Sequence, residues 1–156
     1  MHLLNCLLYL LIMSIVVFII GRLFPRKLIN ENKFPFKIYN WEKNGKIYDC
    51  LKIKKWKTRL PDASVILNKF IPKIYPKKRM KNKEVDQAFI LVKESCVAEM
   101  THKVVSILGF FCIKICRKKG FLIALVYYIF NIPFVLIQRY NRPRLLKLTN
   151  KIKKCE

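Results

Sequence analysis

Acidic side chains are scarce in this sequence. Nine Asp+Glu stand against 32 Lys+Arg, a formal net charge of +23, although 53% of the 156 residues are hydrophobic. That pairing excludes an ordinary soluble domain, because unbalanced charge repels itself and so much apolar surface needs a large core. A bilayer resolves the conflict. Residues 1–20 contain no Lys or Arg, and no small-x-small site follows before Arg22, so an uncleaved anchor is preferred over a cleaved leader. The six cysteines (Cys6, Cys50, Cys96, Cys112, Cys116, Cys155) include no CxxC pair and no framework spacing, so most are expected as reduced thiols. Cys112 and Cys116, at i and i+4 in an apolar stretch, read as packing groups. Histidine is limited to His2 and His102, which removes the doubled Glu-x-x-His of helical dimetal sites; no metal is expected. No internal repeat and no nucleic-acid-binding motif is visible, so nucleic acid is not an expected partner.

What is present is organised by hydrophobicity. Residues 3–20 form an uncharged run of about the length at which a helix crosses roughly 30 Å of hydrocarbon. Arg22, Arg26 and Lys27 follow at once, which predicts an N-terminus outside and residues 22 onward in the cytoplasm. Residues 22–87 then hold 19 Lys+Arg and 6 Asp+Glu. Phe34, Pro35, Phe36, Tyr39, Trp41, Trp56, Tyr75 and Pro76 are interleaved with that charge, as suits a segment lying on anionic headgroups. Within it KIYDCLKIKKWK (46–57) fits either a short strand or an amphipathic helix.

Residues 87–116 read as one long helix without Pro or Gly until Gly109, the RKKG of 117–120 as a tight turn, and 121–137 as another span. The two helices predict a hairpin, either crossing or re-entrant. The expected fold is therefore mostly α and membrane-embedded, with an anchor helix (1–21), a basic interfacial segment (22–87), a helical hairpin (88–138) and a basic tail (139–156).

Chemistry concentrates in two places. From residue 88 onward the only carboxylates are Glu94, Glu99 and Glu156, and His102 is the only imidazole. On a helix Glu94, Glu99 and His102 fall within about 140° of arc, with Glu99 and His102 neighbours at i and i+3. Ionisable groups in a membrane helix point to function. A carboxylate beside an imidazole fixes its tautomer and stabilises the imidazolium, as activating an alcohol requires; simple pairing of the glutamates with nearby lysines is the alternative. In the second place, Asn131 and Pro133 interrupt an apolar span. Gln138, Arg139, Tyr140, Asn141, Arg142 and Arg144 then crowd its exit, suited either to an anionic acyl donor or to lipid phosphates.

These residues carry a resemblance. Glu94, Ala98, Glu99 and His102 (E-x-x-x-A-E-x-x-H), then Asn131, Pro133 and the unbroken QRYNRPRL of 138–145, are similar to the glycosyl-4,4'-diaponeurosporenoate acyltransferase family of bacterial membrane enzymes. A fainter match covers Trp41 to Lys46 and Lys55 to Lys57. Val97 and Lys103 depart from the pattern, where a basic and an aromatic residue are expected. The resemblance implies a multi-pass protein of the bacterial cell membrane that transfers a fatty acyl group to a sugar hydroxyl of a lipophilic glycosylated acceptor. It implies no cofactor beyond an activated donor such as an acyl thioester. His102 would be the base, Glu99 its orienting partner, Glu94 an acceptor ligand, and Asn131 with the 138–144 group the substrate contacts. The His-x-x-x-x-Asp motif of glycerolipid acyltransferases is absent. Two other functions fit the residues: a polybasic anchor for anionic lipids, or another transferase acting on a lipid-linked sugar.

Overall fold

An uncharged run can satisfy its backbone amides away from water only by coiling on itself. The computed structural model, which describes residues 2–60 and 85–154, makes the first run a helix, α1 (His2–Leu23). Its C-terminal carbonyls are met by Arg26, whose guanidinium donates to Gly21 O at 2.9 Å and to Phe24 O. Two single-turn helices follow, α2 (Ile47–Cys50) and α3 (Ile53–Trp56), then two long ones, α4 (Val85–Gly109) and α5 (Cys112–Lys153). Among the described residues there is no strand. Three stretches are long and apolar enough to cross a membrane: Leu3–Leu23, Ala88–Cys116 and Lys119–Lys153. Tyr75, Pro76 and the rest of 61–84 in the basic segment lie outside the described residues.

The chain forms two compact units, Met1–Ile29 with Ser95–Gln138, and Asn30–Glu94 with Arg139–Glu156. In the first unit α1 packs on a helical hairpin. A stripe at i, i+4, i+7 and i+11 of α1 (Cys6, Leu10, Met13, Val17) meets Val105, Leu108, Cys112, Ala124 and Tyr127. Tyr9 Oη donates to Leu108 O at 3.0 Å, and Ser14 Oγ lies 2.7 Å from Tyr127 Oη. The other faces of α1 expose Leu4, Leu8, Leu11, Ile15 and Ile19, the surface a lipid tail would cover.

The hairpin's reversal falls where the polar turn was expected. Helical backbone continues through residues 117–120, yet a side chain at Gly120 would overlap the Cys112 carbonyl. Residues eight apart along a straight helix would be separated by about 12 Å, so the chain must double back between the apolar stretches that end at Cys116 and begin at Lys119. The break after Gly109 is only a tightening, bridged by Phe110 N to Ile107 O (3.1 Å) and Phe111 N to Leu108 O (3.0 Å). Both arms have the length to cross. Pro133, expected to interrupt its span, sits inside α5 without ending it, and the residues expected as a basic tail are helical to Lys153.

The second unit settles the 46–57 segment as neither a strand nor one amphipathic helix. Lys52 adopts left-handed backbone (φ 51°, ψ 33°), which no continuous helix tolerates, so the segment splits into α2 and α3. Tyr48 and Ile53 point inward from the two turns. Gly45 precedes them at φ +86°, and a Cβ there would lie 3.0 Å from Pro143 Cγ and 3.2 Å from Arg144 Nη1. Both its backbone and its neighbours require glycine.

Candidate active site

His102 projects from the first arm of the hairpin and meets the second. Its Nδ1 lies 2.9 Å from Asn131 Oδ1, and Asn131 Nδ2 donates to Tyr127 O at 2.8 Å. The imidazole stacks on Phe134, centroids 4.7 Å apart and planes 12° from parallel. Ser106 Oγ donates to the His102 carbonyl at 2.7 Å. The group on Nδ1 is thus an amide from the opposite arm, where the sequence pointed to Glu99. Glu99 is wholly buried and its Oε1 is 2.5 Å from Lys103 Nζ, one turn further on. Lys103 stands at a position where an aromatic was expected, and here it supplies a counter-charge to the buried carboxylate one turn before it. Glu94 belongs to the same helix and is half-buried.

The 138–145 run, in the second unit, faces the chain's own polar groups. Glu42 is fully buried and accepts from Arg139 Nη1 at 2.5 Å, Tyr48 Oη at 3.0 Å and the Tyr39 amide at 3.3 Å. Arg139 also donates to Lys37 O (3.2 Å) and Pro35 O (2.7 Å), while the buried Arg142 donates to Phe36 O at 2.8 Å. Tyr140 is buried, with the Arg144 guanidinium 3.6 Å and Lys57 Nζ 4.8 Å from its ring centre. Lys57 further donates to Asn141 Oδ1 at 3.0 Å, and Arg144 reaches Asp49 at 2.8 Å. The faint 41–46 and 55–57 motifs and the strong 138–145 motif are therefore two sides of one cluster. Gln138 belongs to the first unit, where its carbonyl accepts from Ser95 Oγ at 3.2 Å.

Two functional relations escaped the sequence. Glu42 looked like one of several carboxylates in a basic segment, and nothing local marks it as the centre of the cluster. The His102–Asn131 pairing did have a signal, since the midpoint of the two positions falls beside the reversal that follows Cys116. Among the described residues no group of three or more His, Cys, Asp and Glu is arranged to hold a metal.

These features define a helical membrane protein whose hairpin carries a half-buried histidine paired with a buried amide. The family described as glycosyl-4,4'-diaponeurosporenoate acyltransferase matches residues 25–151. An enzyme of that name from Staphylococcus aureus (strain MRSA252) is 27% identical over 150 residues, covering 96% of this chain and 88% of that protein. One from Staphylococcus haemolyticus (strain JCSC1435) is 35% identical over 113 residues, 70% of this chain and 63% of its own length. No solved structure matches. The chain belongs to the glycosyl-4,4'-diaponeurosporenoate acyltransferase family and is an acyltransferase.

Proposed function

We propose that this protein esterifies a sugar hydroxyl of a glycosylated carotenoid, or a closely related glycolipid, with a fatty acyl group from an activated thioester. The observation that carries the reading is the half-buried His102 paired with the buried Asn131 inside an apolar hairpin of a chain of this family. His102 takes the proton of the sugar hydroxyl as its oxygen attacks the acyl carbonyl. The C–O ester bond forms, the C–S bond breaks, and the leaving thiolate takes the proton from the imidazolium. Glu99, three residues before His102, favours that transient cation electrostatically, and Glu94 binds acceptor hydroxyls.

For the 138–144 group the proposal divides. Arg139 and Arg142 act as positioning groups, given their bonds to Glu42 and to the carbonyls of residues 35–37. Donor phosphates are assigned to Arg144 and Asn141. The Arg144–Asp49 pair is partly exposed, so it is worth only about 0–1 kcal/mol and yields readily to a phosphate. Asp49 would then be released to water. The bilayer supplies the lipid partners. We assign the N-terminus to the outside, because residues 1–20 carry no Lys or Arg while Arg22 in the last turn of α1 and Arg26 and Lys27 just after it supply positive charge at the other end.

The test is mass spectrometry of lipids and pigments from membranes containing the protein or its His102→Ala variant, supplied with a glycosylated apocarotenoid and an acyl thioester. An acyl-sized mass gain only with the intact protein supports the assignment. Equal gain in both removes His102 as the base, and gain in neither removes this acceptor.

A further inference from the structure

We propose that Asn131 is a positioning residue that holds His102 as the Nδ1–H tautomer, presenting Nε2 as the atom that receives the hydroxyl proton. The role of Nε2 rests on the acyl-transfer reading, whereas the tautomer rests on geometry alone. An asparagine amide can turn either its oxygen or its NH2 toward a neighbour. Here the choice is made by the helix: Asn131 Nδ2 faces Tyr127 O at 2.8 Å, and a carbonyl oxygen can only accept. Oδ1 is consequently the atom 2.9 Å from His102 Nδ1, and because it too only accepts, the ring hydrogen must be on Nδ1.

The opposite tautomer would set two lone pairs against each other. Asn131 is 5% exposed, so water does not readily reach its amide. Phe134, three residues on and on the same helix face, holds the ring plane by stacking. The bond from Nδ1–H to Asn131 Oδ1 is unchanged when Nε2 gains the substrate proton and when it passes that proton to the leaving thiolate. The base is thus held still through the cycle by a neutral group, and the second apolar arm, Lys119–Lys153, carries no carboxylate.

The chain is suited to a direct test, because it has only two histidines. A His2→Gln background leaves His102 alone, and full-length protein labelled with 15N-histidine in bilayers reports which ring nitrogen carries hydrogen when the ring is neutral. The expected spectrum has a protonated, pyrrole-type Nδ1 and a pyridine-type Nε2. Asn131→Leu should shift the ring toward Nε2–H, and Asn131→Asp, which keeps an acceptor, should retain Nδ1–H. In turnover, Asn131→Leu should lower kcat by at least about tenfold with KM near native. Native protein found as Nε2–H overturns the proposal even if Asn131→Leu does not fold, and so does a tautomer that Asn131→Leu leaves unchanged. A tautomer shift with kcat unchanged overturns the role given to Nε2. The expected tautomers with no acyl transfer in any sample would uphold the positioning role and refute the acyl-transfer reading instead.

Discussion

Removing the Glu42 carboxylate should be the most disruptive single change in the second unit. It has no exposed surface, and its ion-pair partner Arg139 is 11% exposed, so water screens the pair little. Replacing Glu42 by Leu removes the counter-charge of the Arg139 guanidinium and takes an acceptor from the Tyr48 hydroxyl and the Tyr39 amide. Breaking one side of a buried pair costs about 3–5 kcal/mol. The size of the loss alone does not identify the pair as its cause, since Leu also changes shape. The decisive measurement is therefore a double-mutant cycle of Glu42→Leu, Arg139→Leu and both together, followed by reversible unfolding in mixed micelles. The double variant should recover part of the loss, with a coupling of at least about 1.5 kcal/mol. Additive losses, or a Glu42→Leu loss below about 1 kcal/mol, would refute the view that this pair docks residues 35–42 on the helix after 138.

Two other changes test separate parts of the same unit. Gly45→Ala, which meets Pro143 at 3.0 Å from a φ of +86°, should destabilise by about 1–3 kcal/mol in the same unfolding assay, and a neutral result would mean the turn relaxes freely. Glu31 gives an acid-side dependence: burial pushes its carboxyl up, but the hydrogen bond and charge of Lys93 (2.6 Å), with a backbone bond and the charge of Arg142, bring it below the ordinary 4.5. The folded state thus binds that proton less readily than the unfolded chain. Its stabilisation is present above pH 4.5 and is lost as pH falls through 4.5 toward the folded value, so Lys93→Met should flatten this part of a thermal-unfolding pH profile.

Local composition was enough for the membrane part. An uncharged run long enough to cross, a basic turn at 117–120 and apolar arms on either side are each readable within a window of about 20 residues, and all three stand in the fold. Helical spacing reveals neighbours on one helix, and Glu99 is such a neighbour of His102, whereas Asn131, the group on Nδ1, arrives from the other arm. The QRYNRPRL run was legible as a dense group of donors, but their targets were not. An arginine's carboxylate partner nearly a hundred residues away leaves no periodicity in the sequence, and Glu42 has the same local surroundings as any surface glutamate. Segment 46–57 failed for a different reason. Its break depends on one non-glycine residue, Lys52, held in the left-handed region by the fold rather than by its own preference.

Glu42 precedes Arg139 by 97 residues, so the order of synthesis matters. At elongation rates of about 5–20 residues per second, Glu42 is added to the chain roughly 5–20 s before its counter-charge exists. Through that interval the carboxylate must stay hydrated, and residues 30–60 cannot adopt their final packing. The basic half of the enzyme is therefore completed only after residues 139 onward have been made. A nascent chain cut short before residue 139 would already contain α1, His102 and Asn131, yet would lack the helix on which the preceding segment closes.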